Sequence, residues 1–352
     1  MEHLKATFHQ ALADPTEELV RVEEGQVHIY EGRWAAHDLL KAMGFEAYDK
    51  EFRSWLTNYR EQLLERGREL LEVFDQEERF NALKAVYRRD AVVPFVGAGM
   101  SQPSGYPGWP GFLHRLWAKL GRQKNDLDAM LARGEYEEAA QALADALTPH
   151  VFNEHVENIF GQRRSLTGPV QLLPYLFAGA VVTTNFDEVL HECYEKVGKP
   201  FCETLLGTKA QEFQRVVATR RPFLTQLHGS AKSAADRVLT KSEYDLAYAD
   251  PRTIQRVVKV LCSRTLLFMG CSLSVDRLLR CLQDHVVAEG HDAVSRHYAF
   301  VGLPAGTDAS SRQAKETELA RANIYPIWYA KGEDSWEIES LLHLLADGVV
   351  QW

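Results

Sequence analysis

Two side chains of this sequence could together carry acid–base chemistry on a bound hydroxyl or water. Asn185 follows a strand-like apolar run at 180–184, and its side-chain amide can both donate and accept a hydrogen bond. His228 follows a second such run at 222–227, and an imidazole with a pKa near neutrality can accept a proton from a hydroxyl or an attacking water. Both are therefore candidates for catalytic roles. The alternatives are a local cap for Asn185 and a purely structural role for His228.

A pair of glycines ends an earlier strand-like run, where Val92–Val96 leads into Gly97-Ala98-Gly99. Residues without a β-carbon let the backbone approach a pyrophosphate and donate amide hydrogens to it, although a plain tight turn has the same composition. Gln102 replaces the third glycine of the dinucleotide fingerprint, and no acidic residue ends the second strand, which disfavours a hydride-transferring dehydrogenase. The sequence also lacks the Gly-Lys-Ser/Thr of the ATPase phosphate loop.

A further segment with functional residue types is Gly270-Cys271-Ser272, which also follows an apolar run. Asp187 is predicted to cap the helix after the second strand, and Asp276 to cap a later one. We expect Cys271 to be a small loop or buried residue rather than a nucleophile, because no neighbour is predicted to lower its pKa. In an open parallel sheet, residues just past the carboxyl ends of the strands line one crevice, so these distant segments are expected to meet there.

The elements that would position these segments alternate between strand and helix along most of the chain. This alternation predicts an α/β fold with a doubly wound, Rossmann-like parallel sheet. The predicted strands cover residues 92–96, 180–184, 222–227, 265–270, 297–303 and 324–328. The predicted helices cover residues 112–120, 135–147, 150–160, 251–262, 275–289, 310–322 and 335–346.

The N-terminal part of the chain follows a different pattern. Residues 17–30 indicate a small hairpin, and from Leu39 to Phe74 apolar residues recur at intervals of three and four, as in an amphipathic helix. We therefore predict a mostly helical appendage at 1–88 and a catalytic domain at 89–352. The apolar stripe of the appendage is either an assembly surface or a face that packs on the main domain.

Composition narrows the classes of function. The 352 residues carry 40 Lys and Arg against 49 Asp and Glu, and a net charge of -9 argues against whole-surface attraction to nucleic acid or anionic lipid. No apolar stretch reaches the roughly 20 residues that span a bilayer, and the first residues lack an apolar signal core. Five cysteines without disulfide-framework spacing suit a reducing compartment. A soluble cytoplasmic protein is expected.

Taken together, the motifs resemble the sirtuin-like domain family, and within it the bacterial, metal-free, NAD-hydrolysing branch of antiphage defence enzymes. Loop 101–109 resembles the family's loop over the nicotinamide, with Pro107-Gly108-Trp109 in place of the Pro-Asp-Phe-Arg of protein deacylases. Leu227-His228-Gly229 resembles the family's catalytic histidine motif, and the stretch from Thr240 to Tyr244 is similar to one in the metal-free branch. The two Cys-x-x-Cys pairs of sirtuin deacylases are missing from the sequence.

This resemblance implies that the chain cleaves NAD, its substrate, to nicotinamide and ADP-ribose without a metal. Asn185 would position water and ribose, and His228 would act as the base. Phosphates would be held by Gly97, Gly99 and Ser101, and the adenosine ribose by Ser272. The remaining residues implied to bind the dinucleotide are Ala98, Tyr106, Trp109, Asp187 and Gly270, with Tyr106 and Trp109 as pocket walls.

Two other functions and several partners stay open at this point. The same pocket could serve an NAD-dependent protein deacylase or ADP-ribosyl transferase, or a catalytically idle sensor of NAD or ADP-ribose. Because unregulated NAD hydrolysis would kill the host, the resemblance implies control by assembly. The expected partners are further copies of the chain, or a sensor such as a ring-forming ATPase or helicase or an Argonaute-type protein, and no membrane.

Overall fold

The computed structural model describes residues 4–12, 26–29, 32–217, 221–273, 277–332 and 336–350. Its strands are β1 Gln26–Ile29, β2 Gly32–Ala35, β3 Val92–Val96, β4 Ala180–Thr183, β5 Glu203–Leu206, β6 Phe223–Gln226, β7 Thr265–Met269, β8 His297–Leu303 and β9 Ile324–Ala330. Its α-helices are α1 Lys5–Leu12, α2 Ala36–Ala42, α3 Phe45–Val73, α4 Glu77–Tyr87, α5 Trp109–Lys119, α6 Lys124–Ala132, α7 Tyr136–Ala146, α8 Pro149–Phe160, α9 Leu173–Leu176, α10 Val189–Lys196, α11 Phe213–Val217, α12 Lys241–Ala247, α13 Pro251–Leu261, α14 Arg277–Glu289, α15 Ala309–Ala320 and α16 Trp336–Ala346.

Seven strands form one parallel sheet in the order β5-β6-β4-β3-β7-β8-β9. Without the edge strand β5, this is the 3-2-1-4-5-6 order of the doubly wound dinucleotide-binding sheet. The chain direction across the sheet reverses between β3 and β7, and such a switch point leaves a crevice at the carboxyl ends of the strands. The doubly wound parallel sheet predicted from the sequence is confirmed.

Both faces of the sheet are buried, because successive side chains of its central strands enter two different hydrophobic cores. In β3, Val92 and Val96 belong to one core, whereas Val93 and Phe95 belong to the other. All five residues of β3 are buried, which is why the strand has an unbroken apolar sequence instead of an alternating one.

The N-terminal segment packs against the edge of the sheet and against α16. Gly67 of α3 lies so close to α16 that a β-carbon there would be 3.1 Å from the Ser340 carbonyl oxygen. The side-chain amide of Gln76 is buried and pairs with both backbone groups of Trp328 in the edge strand β9, donating to the carbonyl at 2.6 Å and accepting from the amide at 2.8 Å. The segment therefore covers the hydrogen-bonding edge of β9.

The remaining N-terminal elements are small. Strands β1 and β2 pair antiparallel, and most of the hairpin predicted for residues 17–30 lies outside the described residues. Phe8 of α1 packs with Tyr48 and Phe52 of α3 in a separate aromatic cluster. Within the described ranges, no helix has both the length and the apolar composition to cross a membrane.

Candidate functional site

The loops that follow β3 and β7 touch backbone to backbone at the switch point. The Gly97 amide donates to the Met269 carbonyl at 2.8 Å, and the Gly99 amide donates to the Gly270 carbonyl, also at 2.8 Å. A β-carbon on Gly97 would lie 2.5 Å from the Gly270 carbonyl oxygen, so only glycine fits this contact. Because both amide hydrogens are used inside the protein, the structure corrects the predicted amide donation by these glycines to a pyrophosphate.

A cavity of about 770 Å³ opens at the carboxyl ends of β3, β4 and β7, beside the segment that follows β6. Its volume lies within the roughly 300–1,000 Å³ of small-molecule sites. Of the residues predicted to form the site, nine line this cavity: Gly97, Ala98, Gly99, Trp109, Asn185, Asp187, His228, Gly270 and Ser272. The segments that are separate in sequence therefore meet around one space.

Asn185 is held in the cavity wall by hydrogen bonds to two neighbouring strand ends. The Thr183 hydroxyl donates to the Val96 carbonyl at 2.7 Å and accepts from the Asn185 amide at 2.9 Å, which ties β4 to β3. The side-chain nitrogen of Asn185 donates to the Ser101 hydroxyl at 3.1 Å. This bond orients the side-chain amide, and its carbonyl oxygen is the group suited to accept a hydrogen bond from a ribose hydroxyl or water.

Asp187 lies behind the same serine. Its carboxylate accepts from the Val189 amide at 3.1 Å, but the N-cap of α10 is Glu188, so Asp187 lies one residue before the cap and its predicted capping role is corrected. Burial raises the pKa of Asp187 to about 6, and hydrogen bonds from the Ser101 hydroxyl and the Val189 amide oppose that rise. Ser101 therefore joins Asn185 to Asp187. It is not among the cavity-lining residues, so the structure gives it a positioning contact in place of the predicted phosphate contact.

His228 is buried, and the loss of hydration lowers the pKa of its imidazole to about 4. The ring is therefore neutral at pH 7 and can accept a proton. Its Nδ1 lies 3.3 Å from the Tyr244 hydroxyl. Its Nε2 is buried and has no hydrogen-bond partner among the residues that the structure describes. The unpaired nitrogen at a cavity has the geometry of a general base, whereas the pKa of about 4 corrects the near-neutral value expected from the sequence and makes the imidazole a weaker base.

Of the two aromatic residues predicted as pocket walls, only one lines the cavity. Trp109 lies at the start of α5, with its ring centroid 6.0 Å from that of Tyr136 and 6.5 Å from that of Tyr244. Tyr106 is instead part of the hydrophobic core, and its hydroxyl donates to the Gln162 carbonyl. Burial raises the pKa of Tyr106 to about 12. The structure therefore corrects the predicted role of Tyr106 as a pocket wall.

The cavity continues from the switch point toward the ends of β8 and β9. Ser272 lines it next to Cys271, whose sulfur lies 3.6 Å from the Met269 carbonyl oxygen. Gly302 and Lys331 line the far end. Asp276, predicted to cap the following helix, lies outside the described residues.

Tyr244 and Arg277 are residues of the cavity wall for which the sequence predicted no role. Tyr244 of α12 contacts His228, and Arg277 of α14 donates to Glu137 of α7 at 2.6 and 3.0 Å and to Asp245 at 2.6 Å. The Arg277 guanidinium also lies 5.4 Å from the centre of the Tyr244 ring. It thereby joins three helices around the cavity. Tyr244 was visible in the sequence as the end of the Thr-x-x-x-Tyr stretch, whereas nothing local marks Arg277.

The described part of the chain has no group of three or more His, Cys, Asp or Glu side chains placed to hold a metal ion.

Comparison with known proteins gives one family and several relatives. Residues 179–327 match the family model described as a SIR2-like domain. A protein named NAD(+) hydrolase ThsA from Cytobacillus dafuensis is 25% identical over 276 residues, which cover 73% of this chain and 53% of that protein. A protein of the same name from Enterococcus faecium is 21% identical over 57% of this chain and 41% of its own length. The chain thus spans about half the length of these relatives, or less.

Proposed function

We propose that the chain, whose match to the SIR2-like family model over residues 179–327 confirms the predicted resemblance to the sirtuin-like family, hydrolyses NAD to nicotinamide and ADP-ribose. The observation that carries the proposal is the pair of Asn185 and His228, both buried and both in the wall of one cavity at the sheet's switch point. The relatives named NAD(+) hydrolases support the choice of substrate.

The proposed reaction breaks the bond between the anomeric carbon of the nicotinamide ribose and the ring nitrogen of nicotinamide. The bonding electron pair goes to that nitrogen and neutralises its positive charge, while the carbon develops oxocarbenium character. A water held by Asn185 adds its oxygen to the carbon, and His228 takes the released proton. The neutral state of His228 supports this role, because an imidazolium could not accept a proton.

The test is nicotinamide release from NAD by the purified chain and by the variants Asn185→Ala and His228→Ala. Losing general-base catalysis costs about 10²–10⁴-fold in rate, and we expect both variants to fall at least that far while remaining folded by circular dichroism. His291→Ala, at an exposed histidine after α14, is the matched control and should keep full activity. Full turnover by either site variant would contradict the proposal.

The products separate this function from the two alternatives. Free ADP-ribose in equal amount to nicotinamide supports hydrolysis. Acylated ADP-ribose formed only with an acyl-peptide would favour a deacylase, and ADP-ribose attached to protein would favour a transferase. Dinucleotide binding without turnover, alone or with products of neighbouring genes, would favour a sensor.

We further propose that the reaction depletes NAD in the cytoplasm during antiphage defence, under control of assembly. The support is the family resemblance, together with the physiological need to restrain such an activity. The proposed partners are further copies of the chain, or a sensor such as a ring-forming ATPase or helicase or an Argonaute-type protein. Control by further copies of the chain is tested by measuring activity as a function of protein concentration. The mass of the assembly is measured on the same samples. A turnover number independent of assembly would contradict it.

A further inference from the structure

Tyr244 contacts the ring of His228. Its hydroxyl lies 3.3 Å from Nδ1, and the two rings meet edge to face with centroids 5.1 Å apart and planes at 74°. Both side chains are buried, and both line the cavity. Any hydrogen bond between them therefore forms away from bulk water, where it has a large effect on the imidazole.

The position of Tyr244 is set by the start of α12. Thr240 and Glu243 form a reciprocal capping box, in which the Glu243 carboxylate accepts from the Leu239 and Thr240 amides, each at 2.8 Å. Arg237, whose side chain is 1% exposed, also donates to Glu243 at 3.2 Å. Tyr244 follows directly, so its hydroxyl is presented from an anchored helical turn.

The contacts of the two ring nitrogens of His228 favour one of them as the carrier of the proton. A neutral imidazole has one N–H donor and one acceptor nitrogen. No protein group among the described residues accepts from Nε2, so this nitrogen is left to the water or substrate in the cavity. A proton on Nδ1 can instead be donated to the Tyr244 oxygen, which leaves the lone pair on Nε2.

We propose that Tyr244 is a positioning residue that holds His228 in the Nδ1–H tautomer, so that Nε2 is the proton acceptor of the reaction. This inference rests on the proposed hydrolysis of NAD, and it assigns to Tyr244 the task of orienting the base without touching the reacting atoms. Removing the hydroxyl lets the imidazole adopt the other tautomer or turn, and the fraction of molecules with a correctly placed base falls.

The kinetic test is Tyr244→Phe, which keeps the ring and deletes the hydroxyl. General-base catalysis contributes about 10²–10⁴-fold, and we expect the variant to lose part of this, roughly 10–100-fold in kcat, with little change in KM. Tyr248→Phe is the matched control, because Tyr248 stacks on Tyr244 at 5.9 Å and follows the same helix. It should keep wild-type kcat. An unchanged kcat in Tyr244→Phe would overturn the proposal.

A spectroscopic test of the tautomer does not depend on activity. The chain is labelled with ¹⁵N-histidine, and His228→Gln identifies the His228 signals by their loss. We expect a protonated Nδ1 and an unprotonated Nε2 in the wild type, and a change in this pattern in Tyr244→Phe but not in Tyr248→Phe. A wild type with the proton on Nε2 would overturn the proposal. A wild type that releases no nicotinamide but has the expected tautomer would refute the proposed function alone.

Discussion

At the scale of single residues, the site depends on a short series of hydrogen bonds that runs away from the cavity. Asn185 donates to Ser101, and Ser101 in turn contacts Asp187. Asp187 is almost fully buried, so its carboxylate loses hydration that its hydrogen bonds only partly replace. The ionised Asp187 carboxylate therefore lowers the stability of the folded chain. It lies behind the side-chain amide of Asn185, which is proposed to hold the substrate.

The stability lost when the buried Asp187 ionises leads to a prediction for Asp187→Asn. An unfolded aspartate ionises with a pKa of about 3.9, whereas burial raises the pKa of the folded one to about 6. As pH rises through that interval, the unfolded state ionises first, and wild type loses stability that the neutral variant keeps. Between pH 4 and pH 7, we expect the free energy of unfolding of wild type to fall by roughly 2 kcal/mol relative to the variant, measured by urea denaturation. Parallel pH curves would contradict this.

The sequence was sufficient to bring Asn185 and His228 to one place, because both follow strands and strand ends converge in a parallel sheet. It was not sufficient to say which neighbouring side chains face the cavity. Ser101 and Tyr106 belong to the same loop as Trp109, yet both turn inward. The direction of a side chain in an irregular loop depends on tertiary packing, and a local pattern does not record it.

At the scale of elements, the contact between the loops after β3 and β7 shapes the switch point. We predict that Gly97→Ala destabilises the chain by about 1–3 kcal/mol, because the added β-carbon would meet a backbone oxygen that cannot move aside. Gly179→Ala is the control, since a β-carbon there meets nothing within 4 Å and its backbone is not left-handed. Thermal unfolding of both variants checks this. Equal melting temperatures would contradict it.

The elements themselves were largely predictable, since the six strands from β3 onward other than β5 are apolar runs bounded by turn residues. Strand β5 was missed. It lies at the sheet edge, has only four residues, and includes Glu203 and Thr204, which are only partly buried. An edge strand is defined by the neighbour with which it pairs, and short polar sequences do not encode that neighbour.

At the scale of the whole molecule, the N-terminal segment covers the β9 edge of the sheet. Gln76 and Arg79 donate to the edge strand β9, at the Trp328 and Pro326 carbonyls. Part of the apolar stripe of α3 is thereby placed against the main fold, whereas Phe8, Tyr48 and Phe52 pack among themselves. The division at residue 88 and the assembly surface stay predictions.

We predict that Gln76→Ala lowers the free energy of unfolding by about 2–4 kcal/mol, because it leaves two buried backbone groups of Trp328 without partners. Gln313→Ala, at an exposed position of α15, should change it by less than about 0.5 kcal/mol. Urea denaturation of the two variants measures the difference. Equal stabilities would show that the N-terminal segment does not support the sheet edge.

A crystal structure of Asn185→Ala with NAD bound tests the central claim most directly. The account predicts the nicotinamide ribose at the ends of β4 and β6, within hydrogen-bond reach of His228, and the adenosine ribose near Ser272 at the end of β7. A dinucleotide bound outside this cavity, or inside it with the nicotinamide ribose remote from His228, would contradict the account.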